Sequence, residues 1–120
     1  MSSRIVAATV GAPGKAEVES RESRGMRALR TITVVGCHAG GEVGNVVVGG
    51  VLPPPGDSVF EQMQHLRTHG DALRRLLLRE PRGSVACHAN LVVPATRPDG
   101  DAGFIIMEPT EYPLMSGSNT

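Results

Sequence analysis

Residues 31–48 read TITVVGCHAGGEVGNVVV, and this stretch decides the fold. Residues 31–35 are rich in β-branched side chains and predict a strand, and the three valines at residues 46–48 predict a second one. The ten residues between them include four glycines, which indicate a turn because glycine adopts backbone angles that other residues avoid. The stretch therefore predicts a β-hairpin.

Two helices are predicted after the connector PPPG at residues 53–56. Ser58 with Glu61 three residues later is typical of an N-terminal capping box, and apolar residues recur after it at helical spacing. Asp71 is placed to cap a second helix, which ends before Pro81 because the residue before a proline avoids the α conformation. Three leucines mark its buried face, and three arginines are predicted to lie in solvent: Leu73, Leu76 and Leu77, and Arg74, Arg75 and Arg79.

A change of period predicts a strand over residues 84–93, where apolar and more polar residues alternate. Residues 104–107, FIIM, predict a buried strand that pairs with it across a polar loop. The predicted order is β-β-α-α-β-β, which places the chain in the α+β class, or mixed α/β, as one domain.

Composition excludes several classes of partner. Lys plus Arg and Asp plus Glu both number 12, so the formal net charge is zero and gives no excess of positive charge for binding phosphates. Aromatic residues make up 2% of the chain, too few for a base-stacking surface. No apolar stretch approaches the roughly 20 residues that span a bilayer. Neither a nucleic acid nor a membrane is predicted as a partner.

The two cysteines, Cys37 and Cys87, are each followed by a histidine. Two Cys and two His are typical ligands of structural zinc, but adjacent residues on a strand point to opposite faces, so neither Cys-His pair can chelate one ion. No metal site is predicted. The alternative is a pair of buried thiols in a reducing cytoplasm, which is the predicted location of the protein.

Residues 115–120, MSGSNT, have the composition of a loop that is about to open a helix. Backbone N–H groups at such a position suit a carboxylate, and a serine there would face the same ligand. From the residues alone, a frayed tail is the alternative interpretation.

Four phrases, in this order, resemble the first half of the proline racemase family, which also contains hydroxyproline epimerases and trans-3-hydroxyproline dehydratases. They are TVVGCHAGGEVGNVVVGG at residues 33–50, LPPPGDSVFEQ at 52–62, EPRG at 80–83 and FIIMEPTEYPLMSGSNT at 104–120. Met26 opens MRALRTITVVG, where such a protein is expected to begin. The resemblance therefore implies that residues 26–120 are part of the family's N-terminal domain, and that residues 1–25 are a poorly ordered extension outside the fold.

The resemblance implies a fold similar to diaminopimelate epimerase, with two related α/β halves that close on the substrate and use no pyridoxal phosphate, other cofactor or metal. Each half supplies one acid–base residue, so that one removes the proton from Cα and the other returns it on the opposite face. Carried over to this chain, Ser116 occupies the first acid–base position. Gly117 and Ser118 would offer backbone N–H groups to the substrate carboxylate.

Ser116 departs from the family pattern, in which this position is usually a cysteine followed by Gly-His. An alcohol is a far weaker acid than a thiol and needs activation. The resemblance is to a serine-bearing branch, for which hydroxyproline is the expected small-molecule substrate, within the wider class of prolines. Epimerisation by two unlike groups and dehydration of trans-3-hydroxy-L-proline both stay open.

The family's second half, with the partner acid–base residue, is not represented in the 120 residues. The chain alone is therefore expected to be inactive and, with its partner-facing surface exposed, to aggregate or form a homodimer. Two alternatives stand beside the enzyme fragment: a non-catalytic remnant that binds a small carboxylate, and a small structural or interaction domain that shares only the fold.

Overall fold

The computed structural model describes residues 2–8 and 29–119. Its elements, in chain order, are β1 Ser2–Ala8, β2 Arg30–Ala39, β3 Glu42–Gly49, α1 Val59–His69, α2 Ala72–Leu78, β4 His88–Pro94 and β5 Ala102–Met107. Within these described residues the strands form one sheet in the order β1-β2-β3-β4-β5, and all neighbours are antiparallel except β3 and β4, which are parallel. The helices contact β4 and β5, which confirms the α+β class.

The edge strand β1 pairs with β2 from Ser2 opposite Gly36 to Ala8 opposite Arg30. This strand differs from the expectation of a poorly ordered extension over residues 1–25. The free edge of β2 offers unpaired backbone groups, and a short segment that includes β-branched residues can add to it. Residues 9–25 lie outside the described residues, and for them the expectation stays a prediction.

The hairpin of β2 and β3 is confirmed, but its turn is two residues long instead of ten. Gly40 and Gly41 have φ of +59° and +93°, as a two-residue hairpin turn that matches the strand twist requires. Gly44 belongs to β3, where a Cβ would lie 3.2 Å from the ring Cδ2 of His88. This glycine therefore serves the close packing of β3 on β4.

Helices α1 and α2 form the crossover that the parallel strands β3 and β4 require. The predicted cap of α1 is confirmed, because Ser58 Oγ accepts a hydrogen bond from the backbone N–H of Glu61 at 3.2 Å. Neither helix, in the part of the chain that the structure describes, has the length and apolar character to cross a bilayer. One core joins helices and sheet, and its most buried large side chains are Ile32, Val47, Leu78, Leu91, Ile105 and Met107.

Arg74 shows that the prediction of three solvent-facing arginines on α2 is wrong for one of them. Its side chain is 8% exposed, and its Nε and Nη2 donate to the two carboxylate oxygens of Asp71 at 2.6 and 2.8 Å. Its Nη1 donates to the backbone carbonyls of Glu108 and Pro109. The hydroxyl of Tyr112 donates to Asp71 Oδ1 at 3.1 Å. We call these five residues the Arg74 clamp, which ties α2 to the segment after β5.

The other two arginines, Arg75 and Arg79, are exposed as predicted. Arg75 also reaches Asp71, at 2.8 Å, but its side chain is 57% exposed. Asp71 itself stands before α2 and makes no capping bond to the backbone. Its expected capping role is therefore wrong, because its carboxylate is engaged by the two arginines and the tyrosine.

The clamp makes stability depend on pH. Hydrogen bonds from Arg74, and to a lesser degree from Arg75 and Tyr112, hold the pKa of the Asp71 carboxyl well below its usual range. The unfolded chain therefore takes up this proton first, near pH 4, and the stabilisation present above that pH is lost as the pH falls. We expect the urea midpoint to begin to drop at about pH 5, to keep dropping as the pH falls toward the lowered pKa of Asp71, and to drop less in Asp71→Asn. Equal pH slopes in the two chains would contradict this role of the clamp.

Strand β4 begins at His88, later than the strand predicted from residue 84. Residues 84–87 instead include a turn in which the N–H of Cys87 donates to the carbonyl of Ser84 at 3.1 Å, and Val85 is 96% exposed. Because β5 ends opposite Ala89, a longer β4 would have no antiparallel neighbour there. The predicted pairing of this strand with residues 104–107 is confirmed.

Candidate active site

The three residues predicted to touch a substrate, Ser116, Gly117 and Ser118, lie in a turn after β5. The backbone N–H of Asn119 donates to the carbonyl of Ser116 at 3.2 Å, which closes the turn. The Arg74 clamp holds the beginning of the segment that leads to it. The turn is thus closed by its own backbone bond, and the segment that leads to it is hydrogen-bonded to α2 and Asp71.

Ser116 and Ser118 line an open cleft of about 800 Å³. Gly117 stands between them, is exposed, and has nothing within 4 Å of where a Cβ would be. The rest of the cleft wall comes from the start of β3, the connection before β4 and the segment after β5, namely Gly41, Glu42, Val43, Asn45, residues 82–88, Glu108 and Pro109. The turn and two neighbouring strands thus face one concave surface.

The backbone N–H groups of Gly117 and Ser118 donate to no backbone carbonyl within the described part of the chain. N–H groups beside a cleft that have no backbone partner can bind an anion, because each one otherwise needs water as its partner. A carboxylate in this cleft could accept a hydrogen bond from either group. The role of Gly117 and Ser118 in binding a carboxylate stays a prediction.

The hydroxyl of Ser116 takes part in a network of polar side chains. Asn119 Nδ2 donates to Ser116 Oγ at 2.9 Å, and Ser118 Oγ lies 3.5 Å from the same atom. Asn119 Oδ1 in turn accepts a hydrogen bond from Asn90 Nδ2, on β4, at 3.0 Å. Sequence reasoning missed both asparagines. The polar face of the alternating strand around Asn90 was the one signal that pointed to either.

Charged and titratable groups of both signs stand around the turn. Glu42, Arg82, His88 and Glu108 line the same cleft as Ser116. His88 is half-buried against Gly44, which agrees with a packed histidine of β4.

Cys87 lines the cleft as well, and it is a buried thiol as predicted. Burial raises the pKa of the Cys87 thiol, while the hydrogen bond from Asn45 Nδ2 at 3.4 Å acts in the opposite direction. This thiol is therefore protonated at neutral pH and is not poised as a nucleophile. Cys37 is exposed, so the expectation of two buried thiols is wrong for this residue, which lies near the hairpin end of β2.

A smaller cavity of about 170 Å³ adjoins the turn on its other side. Cys37, Gly44 and His88 stand in register across β2, β3 and β4, and Cys37, His38 and His88 all line this cavity. Within residues 2–8 and 29–119, however, no three His, Cys, Asp or Glu side chains are grouped so that they could hold a metal ion.

The chain therefore has an α+β fold with a Ser-Gly-Ser turn at the edge of a polar cleft. The family model described as proline racemase matches residues 34–120, and the chain belongs to this family. The resemblance seen in the sequence is thereby confirmed at the level of the family. The serine-bearing branch stays a prediction.

Two solved structures are similar to this chain. A hydroxyproline epimerase from Agrobacterium vitis, with bound trans-4-hydroxy-L-proline, is 42% identical with a TM-score of 0.72 over 78% of this chain and 28% of its own. A probable proline racemase from Agrobacterium radiobacter K84, with bound carbonate, is 46% identical with a TM-score of 0.69 over 73% of this chain and 26% of its own. The chain thus spans about a quarter of the length of these relatives.

Proposed function

We propose that this chain forms one acid–base half of an enzyme. The enzyme moves the Cα proton of proline or hydroxyproline without a cofactor. Membership of the proline racemase family supports an isomerase-type activity. The two similar structures, one a hydroxyproline epimerase and the other a probable proline racemase, support the substrate class.

One observation carries the proposal. The hydroxyl of Ser116 and the turn that holds the N–H groups of Gly117 and Ser118 are at the same cleft. A carboxylate bound by those amides would bring its Cα close to Ser116 Oγ, since the carboxyl carbon and Cα are directly bonded. In this proposal the turn combines an anion site with a hydroxyl that can exchange a proton.

Removal of the Cα proton needs both the amide N–H groups of the turn and its hydroxyl. A Cα–H beside an ionised carboxylate is a very weak acid, because removing the proton places further negative charge on an anion. Fixed N–H donors offset that charge as it develops, and a base held in contact avoids the entropy cost of bringing it there. In this proposal Ser116 serves one face of Cα, and a group outside these 120 residues serves the other.

Which substrate isomer is used, and whether it is epimerised or dehydrated, depend on the group that serves the other face of Cα. Unlike groups on the two faces favour epimerisation of hydroxyproline over a symmetric proline racemase. A single effective base would also start the dehydration of trans-3-hydroxy-L-proline. There the electron pair left on Cα forms the Cα–Cβ double bond, and the 3-hydroxyl leaves as water once it has received a proton, which the protonated base can supply. Both outcomes begin with loss of the Cα proton, so one experiment detects either.

The test follows the Cα–H signal by proton NMR in D2O. The full product of the reading frame is incubated with L-proline, trans-3-hydroxy-L-proline and trans-4-hydroxy-L-proline in turn. We expect exchange at Cα for at least one hydroxyproline, and either a second epimer or an elimination product. The 120-residue chain alone is expected to exchange none. Absence of exchange with all three imino acids would overturn the proposal.

A non-catalytic carboxylate-binding remnant is the alternative function. It would bind the same imino acids through the turn, seen as shifts of the Gly117 and Ser118 amide signals, without exchange at Cα in any form of the protein. The third alternative of the sequence analysis, a domain that shares only the fold, does not agree with the match to the family model over residues 34–120. Amide shifts and deuterium exchange together therefore separate the enzyme from the binding remnant.

We further propose that the chain self-associates, in a cytoplasmic setting where Cys37 and Cys87 remain free thiols. The support is an apolar groove of about 350 Å³ beside the Ser116 turn, with four exposed apolar side chains: Phe60, Phe104, Leu114 and Met115. Sedimentation velocity should show a dimer or larger species of the 120-residue chain. Phe60→Ser with Leu114→Ser should shift it toward monomer, and a concentration-independent monomer of the unsubstituted chain would refute this.

A further inference from the structure

Two asparagine amides connect β4 to the Ser116 hydroxyl in a chain of hydrogen bonds. Asn90 Nδ2 donates to Asn119 Oδ1 at 3.0 Å, and Asn119 Nδ2 donates to Ser116 Oγ at 2.9 Å. The residues of each pair are 29 and 3 positions apart in the sequence. The fold therefore brings a strand amide and a turn amide into one line that ends on the proposed reacting oxygen.

The direction of these bonds matters for the chemistry. Ser116 Oγ accepts a hydrogen bond from Asn119, so the N–H group points at the oxygen on which charge develops when the hydroxyl loses its proton. A donor of this kind stabilises the alkoxide more than the neutral alcohol, since hydrogen bonds to a charged acceptor are stronger. Ser116 needs such help because an alcohol is a weak acid.

The position of Asn90 also indicates a role in supporting the Ser116 hydroxyl. Its side-chain oxygen is buried and has no hydrogen-bond partner among the described residues, while its nitrogen is committed to Asn119. A buried polar atom without a partner costs free energy, and a functional role is one explanation for such a cost. The hydrogen bond that orients the Asn90 amide among the described residues is the one to Asn119.

We infer that Asn119 is a catalytic residue that stabilises the Ser116 alkoxide, and that Asn90 is a positioning residue that orients Asn119. The inference rests on the proposed role of Ser116. When Ser116 acts as an acid, its proton goes to the Cα carbanion and the negative charge moves from carbon to Oγ, where Asn119 donates to it. When the alkoxide acts as a base, Oγ takes the Cα proton and the electron pair of that bond stays on Cα.

The experiment measures the acidity of a thiol at position 116, without substrate. Ser116→Cys is combined with Cys37→Ser, which removes the exposed thiol, in the full product of the reading frame. The rate of iodoacetamide alkylation at position 116 is followed against pH by peptide mass spectrometry, which separates it from the buried Cys87. The midpoint gives the pKa of the introduced thiol, because only the thiolate reacts.

Adding Asn119→Ala to this background is expected to raise that pKa by about one unit, as removal of one hydrogen bond to the charged form should. Asn90→Ala is expected to raise it by a smaller amount, because the donor remains but is no longer held. Ser84→Ala is the matched control, since Ser84 lines the same cleft but lies in the turn before β4, and little change is expected. Glu42, Arg82, His88 and Glu108 line the same cleft and are identical in all variants.

An unchanged pKa in Asn119→Ala, with the fold intact by circular dichroism, would overturn the inference. If that variant does not fold, the side-chain amide signal of Asn119 is compared by NMR before and after Ser116→Ala. A shift supports the hydrogen bond, and no shift overturns it. Neither readout needs substrate or turnover, so the proposed function can fail in the deuterium assay while this inference holds, and the reverse.

Discussion

Replacing Ser116 with alanine is expected to slow deuterium exchange at the substrate Cα by at least about 100-fold, because a positioned acid–base group contributes roughly 10²–10⁴ in rate. Alanine removes the proton-carrying atom while it leaves the Gly117 and Ser118 amides in place. Carboxylate binding, measured by shifts of those amide signals, should therefore change little. The expected result is loss of exchange with retained binding, in the full product of the reading frame.

Ser84→Ala is the matched control, since Ser84 lines the same cleft but lies in the turn before β4. It should leave the exchange rate close to that of the unsubstituted protein. Ser116→Cys should retain exchange, because an ordinary thiol pKa of about 8.5 lies closer to neutrality than that of an alcohol. Exchange that survives Ser116→Ala unchanged would remove Ser116 from the mechanism.

Local sequence patterns were sufficient to predict the order of the central elements. The hairpin, the capping box at Ser58 and the pairing of residues 84–93 with 104–107 rest on periods and caps that neighbouring residues determine. The turn length was not predictable in the same way. Four glycines between two strands indicate a turn, but only packing shows that Gly44 is needed for contact with His88 instead.

The errors share a physical cause, which is dependence on distant partners. Arg74 and Arg75 are adjacent arginines of the same helix, α2, so the local sequence does not distinguish them. Only Arg74 faces the segment at Glu108 and Pro109. The early start predicted for β4 followed an alternation that includes Val85, although no strand of the sheet pairs with that residue.

The residues of the candidate site also differ in whether the sequence alone could identify them. Ser116, Gly117 and Ser118 were named from the family resemblance, and the structure adds that Ser116 and Ser118 line one cleft. Asn119 lies within the quoted phrase MSGSNT but was given no role there, and Asn90 belongs to no quoted phrase. The significance of both depends on a hydrogen bond between residues far apart in the chain. Their roles could only be proposed once tertiary contacts were known.

Arg74→Met is expected to lower the free energy of unfolding by about 3 kcal/mol, since removing one partner of a buried ion pair leaves the other without compensation. The variant loses the bidentate bond to Asp71, the bonds to the carbonyls of Glu108 and Pro109, and the contact of the guanidinium with the Tyr112 ring, 5.7 Å from its centroid. Methionine keeps much of the apolar volume, so cavity formation adds little. Urea unfolding at neutral pH gives the difference directly.

Arg75→Met is the matched control, because Arg75 binds the same carboxylate from a side chain that is 57% exposed. Exposed ion pairs contribute at most about 1 kcal/mol, so this variant should unfold near the midpoint of the unsubstituted chain. The two substitutions remove the same charge from the same helix. Arg74 differs from Arg75 in its burial, its second bond to Asp71, its two carbonyl bonds and its contact with the Tyr112 ring. Equal losses of stability would mean that Asp71 needs only a nearby positive charge, and that the clamp does not hold the segment leading to Ser116.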